Sequence, residues 1–243
     1  MGRSPVVAGP RFAIYFVPAA GSPLYRFGAA ALGYDCYTGE TVERLPDNHV
    51  TPAEWAALTA EPRRYGFHAT LKAPFRLRLE LDPEDLLADV RALAASIPTA
   101  PTLEPVVGLI SGFVAIVPAT QSAALEALAA DCVTAFERFR LPLSTEERAK
   151  RMAAGLSPRQ AANLDRFGYP YVFEEFRFHM TLTGRIGPER RADIHALLQR
   201  QFAKACGLGA IRLNRLALVR QDHPDAAFRV IGHAAVGRAT LPG

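Results

Sequence analysis

Cysteine and lysine are both scarce in this 243-residue chain. The three cysteines, Cys36, Cys132 and Cys206, lie far apart with no C-x-x-C spacing. An odd, scattered set argues against a disulfide framework and against a cysteine-based zinc site. Long apolar runs are missing too. Stretches such as Phe113 to Ala119 fall far short of the roughly 20 residues that cross a bilayer. Met1 to Pro10 contains no continuous apolar segment, so the expectation is a cytoplasmic protein with no signal peptide and no membrane partner. Only three of the 28 basic residues are lysine, and the formal net charge is a modest +4. No basic run carries the interleaved aromatics that single-strand nucleic-acid binders use. With so much Ala, Pro and Gly alongside, the arginine excess looks like compositional bias rather than a phosphate-binding surface.

What the chain does have is core-forming material. Apolar residues make up 49 % of it, which indicates a globular protein with one large domain or two closely joined lobes. It also contains two short strings that match each other, Phe67-His68-Ala69-Thr70-Leu71 and Phe178-His179-Met180-Thr181-Leu182. Strand alternation sends His68 and Thr70 to one face and Phe67, Ala69 and Leu71 to the other. His179 and Thr181 separate from Phe178, Met180 and Leu182 in the same way. Each copy would bury three apolar side chains and present an imidazole beside a hydroxyl. An imidazole changes charge near neutral pH, and a threonine hydroxyl can donate to an anionic oxygen. A lone H-x-T is ordinary strand sequence; its recurrence in one apolar context marks a site.

The segments around the strings echo one another. Phe12 to Val17 reads as a strand, and Thr51-Pro52-Ala53-Glu54 opens a short helix. The first motif strand spans Tyr65 to Phe75. A helix from Asp82 to Pro98 follows, then a strand pair within Glu104 to Val117, with Gly108 and Gly112 as bulge candidates. Ser122 to Phe139 reads as an amphipathic helix. The second motif strand is expected over Phe176 to Ile186, followed by a helix from Gly187 to Gly207 and strands within Ile211 to Val219 and Ala227 to Val236. Strand, helix, strand pair occurs twice. The pattern predicts an α+β fold of two pseudo-symmetric lobes, each an antiparallel sheet with flanking helices, facing across a groove. Residues 1–10 read as a flexible N-terminus and 11–243 as a single two-lobed domain. One segment breaks the echo: Ser144-Thr145-Glu146-Glu147 and Ser157-Pro158-Arg159-Gln160 are consecutive capping boxes, and Gly168 is a natural helix stop. Residues 143–168 are therefore expected to form an inserted helical hairpin beside the second motif, packing at the groove mouth.

The paired H-x-T-L strings resemble the two-histidine phosphoesterase superfamily, whose signature is two H-x-[TS] motifs on facing strands of pseudo-symmetric lobes. The longer strings RRYGFHATLKAPF (Arg63 to Phe75) and GYPYVFEEFRFHMTLTG (Gly168 to Gly184) look like a family within it encoded in phosphonate-utilisation operons. The resemblance covers the chain from Arg11 to about Val236. It implies metal-independent, cofactor-free hydrolysis of a cyclic phosphodiester in the groove, with His68, Thr70, His179 and Thr181 as the catalytic set. Operon association adds a plausible substrate, since breakdown by carbon–phosphorus lyase passes through a ribosyl cyclic phosphate.

The chemistry is consistent with that reading. Opening a cyclic phosphodiester needs an activated water, a protonated leaving oxygen and donors for the non-bridging oxygens. Imidazoles with pKa ~6.5 supply the base and the acid at neutral pH. A near-symmetric pair does not say which histidine does which. Alternation adds Gly66 and Lys72 on the His68 face, and Arg177 and Thr183 on the His179 face. Lys72 and Arg177 are candidates for balancing phosphate charge, and Tyr15 and Gln221, at the ends of other strands, are weaker substrate contacts. His195 reads as a helix-surface residue; His49, His223 and His233 read as loop or strand residues. The expected partner is a small phosphorylated substrate. The alternatives are an enzyme acting on RNA 2′,3′-cyclic phosphate ends and a non-catalytic module that holds an anion or metal, although no H-x-x-x-H or Cys-His spacing supplies further metal ligands.

Overall fold

The computed structural model describes residues 9–45, 50–120, 122–207 and 209–237. Residues 1–8 of the expected flexible N-terminus, and His49, lie outside the described residues. In chain order the elements are β1 (Arg11–Phe16), α1 (Pro23–Leu32), α2 (Pro52–Arg63), β2 (Ala69–Arg76), α3 (Pro83–Ser96), β3 (Thr102–Leu103), β4 (Pro105–Ile110), β5 (Phe113–Pro118) and α4 (Ala123–Ala135). They continue with α5 (Thr145–Met152), α6 (Pro158–Phe167), β6 (Met180–Thr181), α7 (Arg191–Cys206), β7 (Ile211–Arg212), β8 (Arg215–Gln221) and β9 (Arg229–Ala235). The fold is α+β. No helix among the described residues is long and apolar enough to cross a membrane.

The larger sheet runs β4-β5-β6-β2-β1-β8-β9 with antiparallel pairing throughout, and β3 pairs with β7 in a second, two-stranded sheet. The motif strands β2 and β6 are therefore neighbours at its centre. On either side the halves are interlaced. The pair β4–β5 follows the first motif in sequence but continues the sheet beyond β6, while β8–β9 follows the second motif but lies on the β2 side. Helix α3 packs on β8 and β9, and α7 on β4 and β5. Each half thus takes a motif strand and its following helix from one stretch of chain and its strand pair from the other. Buried residues from both stretches join in one hydrophobic core.

Local sequence accounts for most of the elements. Asp82 caps α3 by accepting from the Asp85 amide, and Ser122 caps α4 in the same way through Leu125. Both expected capping boxes of the inserted hairpin are formed, Ser144 with Glu147 and Ser157 with Gln160, and Gly168 ends α6 at φ 71°. Arg148 on α5 bonds both carboxylate oxygens of Asp165 on α6, at 2.6 and 3.0 Å, and so clasps the two helices together. Gly108 is not a bulge: it pairs in register with Ala115, and the chain reverses at Ser111-Gly112, both at positive φ.

Two elements depart from the sequence expectation. Helix α1 lies outside the sequence expectation although its signals are present: Ser22 caps it through the Tyr25 amide, Pro23 opens it and Gly33 closes it at φ 68°. It passes so close under the first motif that a Cβ on Gly28 would lie 2.0 Å from the Phe67 ring. The second motif strand is only two residues long. Beyond Thr181 the chain leaves the ladder: the Leu182 and Thr183 amides both donate to the Val114 carbonyl, and the Val114 amide is taken by the Thr183 hydroxyl at 3.0 Å.

Candidate active site

The alternation read from the two strings holds. Phe67, Ala69, Leu71, Phe178, Met180 and Leu182 are all buried, while His68, Thr70, His179 and Thr181 are half-buried and line one cavity of about 500 Å³. The strands meet at a single bridge, Ala69 opposite Met180. Continuing that register one residue each way sets His68 opposite Thr181 and Thr70 opposite His179. The two strings thus reach the cavity from either side of that bridge.

Both rings are aimed by the same local device. The His68 Nδ1 lies 2.9 Å from the Gly66 carbonyl, and the His179 Nδ1 lies 2.8 Å from the Arg177 carbonyl. A carbonyl can only accept, so each Nδ1 carries a hydrogen and each ring is oriented from two residues upstream. In the neutral ring this leaves the Nε2 lone pair free. The Nε2 of His68 is 3.1 Å from the Thr70 hydroxyl, which can donate to it. Gly66 sits at φ 71°, and a Cβ there would come within 2.6 Å of the Cys36 Cβ. Only glycine fits this turn, and the turn sets the carbonyl that holds His68.

The environment separates the two histidines. The His68 ring is stacked on Tyr15 with centroids 3.8 Å apart and planes 21° from parallel. Burial holds its pKa down at about 4; positive charge on His179 pushes the same way, and the Gly66 bond opposes both. The His68 ring is therefore held in its neutral form at physiological pH. His179 has Phe113 at a looser 5.8 Å. The Tyr15 hydroxyl is buried without a hydrogen-bond partner, among Tyr65, Arg11 and Tyr169, and burial raises its pKa well above the usual tyrosine range.

Of the accessory residues, Gly66 and Tyr15 line the cavity, and Lys72, Arg177, Thr183 and Gln221 do not. Lys72 is buried beneath α4, where its Nζ donates to the Val133 carbonyl at 2.8 Å and to Glu137 Oε2 at 2.9 Å. The cause is a bulge. Tyr15 pairs with Thr70 and Ile14 with Lys72, so Leu71 has no partner on β1 and the face alternation is broken between Thr70 and Lys72. Ala73 and Pro74 take the cavity positions instead. Arg177 turns back along its own chain to the Glu174 and Phe176 carbonyls. Thr183 is buried in its bond to Val114. Gln221 acts one step away: its Oε1 accepts from the Arg11 Nε at 2.7 Å, and Arg11 lines the cavity. Among the other histidines, His195 on α7 is half-buried and bonded to the Val107 carbonyl, while His223 and His233 are exposed.

Sequence reasoning missed Arg11, Tyr65, Arg151, Tyr169 and Tyr171, all of which line the cavity. The inserted hairpin is part of the wall: Arg151, Ala154 and Leu156 come from it, and Tyr169-Pro170-Tyr171 from the chain leaving it. Among the described residues no group of three or more His, Cys, Asp or Glu is arranged to hold a metal ion.

Comparison with known proteins adds relatives at several distances. The chain is 37 % identical over 240 residues to the ribose 1,5-bisphosphate phosphokinase PhnN of Janthinobacterium sp. (strain Marseille), a match covering 96 % of this chain and 53 % of the relative. It is 32 % identical over 225 residues to the protein of the same name from Laribacter hongkongensis (strain HLHK9), covering 90 % and 50 %. The chain thus spans about half the length of the curated relatives it matches. Two solved structures are more distantly similar. One is the conserved protein of unknown function ATU0111 from Agrobacterium tumefaciens str. C58, with TM-score 0.42, 15 % identity, and coverage of 92 % of this chain and 85 % of that one. The other is a structure described as a phosphoesterase, with TM-score 0.40, 13 % identity, and coverage of 95 % and 99 %. A family model described as "Protein of unknown function (DUF1045)" matches residues 70–229, from the first motif's threonine to β9, and the chain belongs to that family.

Proposed function

We propose that this cavity hydrolyses a small cyclic phosphodiester, with His68 as general base and His179 as general acid. The observation that carries the reading is the juxtaposition of two H-x-T strings about the Ala69–Met180 bridge, with both imidazoles and both hydroxyls on one cavity wall. In the proposed step His68 Nε2 takes a proton from water as the water oxygen bonds to phosphorus. The bond from phosphorus to one ester oxygen breaks, and that oxygen takes a proton from His179. The products are a phosphate monoester and a free hydroxyl. Thr70 and Thr181 donate to the non-bridging oxygens, where negative charge builds in the transition state. The low pKa of His68 supports this division, since the base must start neutral, and a proton on His179 helps to keep it so.

The relatives' name supports a small sugar phosphate as the substrate class. Those proteins are about twice as long as the matching region and are named for a kinase acting on ribose 1,5-bisphosphate. This chain contains no Gly-Lys-Ser or Gly-Lys-Thr triplet of the kind that cradles a nucleotide's phosphates. We assign the named kinase activity to the other half of those proteins, with this half acting on a related sugar phosphate in phosphonate breakdown. A second reading, an RNA end carrying a 2′,3′-cyclic phosphate, draws on Tyr65, Tyr169 and Tyr171, which could stack bases. The test is turnover of purified protein on a panel of cyclic sugar phosphates, cyclic mononucleotides and cyclic-ended oligonucleotides, with and without chelator. Fastest turnover on the sugar phosphates in chelator is expected. Preference for oligonucleotides would favour the RNA reading, and inertness toward the whole panel would overturn the assignment.

A further inference from the structure

Cations crowd the wall between the motif threonines and the inserted hairpin, and most of them are already neutralised. Lys72 and Arg140 share Glu137, and Arg76 pairs with Glu147. Arg11 and Arg151 differ from these. Arg11 is held by the neutral Gln221 side chain and lies over the Phe228 ring, and Arg151 is held by the Gly168 carbonyl. Neither has a carboxylate within ion-pair distance among the described residues.

Both guanidiniums are half-buried, and both line two cavities at once: the large one containing His68 and His179, and a neighbouring one of about 50 Å³ between β2 and the hairpin. They therefore border both. Burial weighs most against charge on Arg151; the Glu147 carboxylate, already bonded to Arg76, favours it, and the nearby charge on Arg11 disfavours it. Glu61, on the wall of the large cavity, is exposed and bonds neither of them, and Glu147, on the wall of the smaller one, is taken by Arg76 and the Ser144 amide. Two partly desolvated like charges side by side are costly unless an anion joins them. A phosphate monoester carries ~1.5 to 2 negative charges at neutral pH and three acceptor oxygens, which matches paired guanidinium forks.

We propose that Arg11 and Arg151 form a second anion seat, which holds a phosphate monoester on the same small substrate whose cyclic phosphodiester is presented to His68 and His179. The proposal rests on the phosphoesterase reading and deepens it: the substrate is a sugar carrying two separate phosphorus groups. Because Arg151 comes from α5, the hairpin supplies half of the seat, and substrate selection depends on the insertion.

The experiment compares two ribofuranosyl cyclic phosphates, one with a free 5-hydroxyl and one with a 5-phosphate, on wild type, Arg11→Gln, Arg151→Gln and Arg151→Lys. Thermal unfolding confirms that each variant is folded. Wild type is expected to favour the 5-phosphate by about 10²-fold in kcat/KM, each Gln variant to lose most of that ratio, and Arg151→Lys to recover part of it. Hydrolysis of both compounds at similar kcat/KM by wild type, or an unchanged ratio in the Gln variants, would overturn the seat and leave the phosphoesterase reading standing. If neither compound is hydrolysed, that reading fails, and calorimetric binding of ribose 1,5-bisphosphate against ribose 1-phosphate decides the seat separately. Tighter binding of the bisphosphate that weakens in Arg151→Gln supports it, and equal affinities overturn it.

Discussion

Ala69 and Met180 are direct partners across the seam between β2 and β6, and the four candidate catalytic residues are the ones flanking this pair. Both are buried small or flexible apolar residues, so the seam is sealed from behind while each polar flank faces the cavity. The arrangement approximates a local two-fold axis, which is why two like strings suffice to build one site. The axis is broken by Tyr15, which stacks on His68 alone. That asymmetry can turn two equivalent imidazoles into a base and an acid.

Replacing either histidine tests the chemistry. His68→Ala and His179→Ala should each lower kcat by ~10² to 10⁴-fold with the far-ultraviolet circular dichroism unchanged. Thr70→Ala and Thr181→Ala should cost less than either, and more in kcat than in KM if the hydroxyls act chiefly on the transition state. Near-wild-type turnover in either histidine variant would end the proposed mechanism.

The depressed pKa of His68 makes a pH prediction. With a folded value of about 4 and an unfolded value near 6.5, the unfolded chain binds the extra proton between those limits. Stability contributed by the neutral ring is fully present above pH ~6.5 and is lost as pH falls toward 4. For this half-buried ring the loss is on the order of 1 to 3 kcal/mol. Denaturant titrations from pH 7.5 to 4 should show a steeper decline in wild type than in His68→Gln. The acid limb of kcat/KM should likewise fall well below pH 6.5; a limb centred at 6.5 or above would contradict His68 as the base.

Gly66 couples the turn before β2 to the orientation of His68. Gly66→Ala places a side chain at φ 71° and against Cys36, so a loss of about 1 to 3 kcal/mol is expected. The folded fraction should also turn over more slowly, because the carbonyl that holds the His68 Nδ1 must shift. A variant destabilised by this amount but with wild-type kcat per folded molecule would show that the carbonyl does not position the ring.

Lys72, which strand alternation offers as a phosphate ligand, should behave as a structural residue. Lys72→Met removes a buried ammonium from Val133 and Glu137 while Arg140 still pairs with that carboxylate. A loss of about 1 to 3 kcal/mol in chemical denaturation, with KM unchanged, is expected. A large rise in KM without a loss of stability would return Lys72 to the substrate.

The residues by themselves determined whatever depends on near neighbours. Side-chain alternation at Phe67 to Leu71 and Phe178 to Leu182 needs only the pleat, so the buried and site-facing sets could be read directly. The hairpin boundaries at Ser144, Ser157 and Gly168 follow from local hydrogen bonding and a left-handed cap, and the α+β order follows from the period of the apolar pattern. Tertiary structure decided the rest. Whether Lys72 reaches the site depends on a bulge opposite Ile14 and Tyr15, which lie more than 50 residues away. Arg11 and Arg151 look like ordinary surface cations until β1, where Arg11 is held by Gln221 of β8, and the hairpin, fastened at Gly168, bring them to the walls of the same cavities. The stacking of Tyr15 that distinguishes His68 from His179 likewise exists only because β1 pairs with β2, whereas β5, beside β6, brings Phe113 to His179 at a looser 5.8 Å. Periodicity reports which face a residue takes, but only long-range pairing supplies the neighbours on that face.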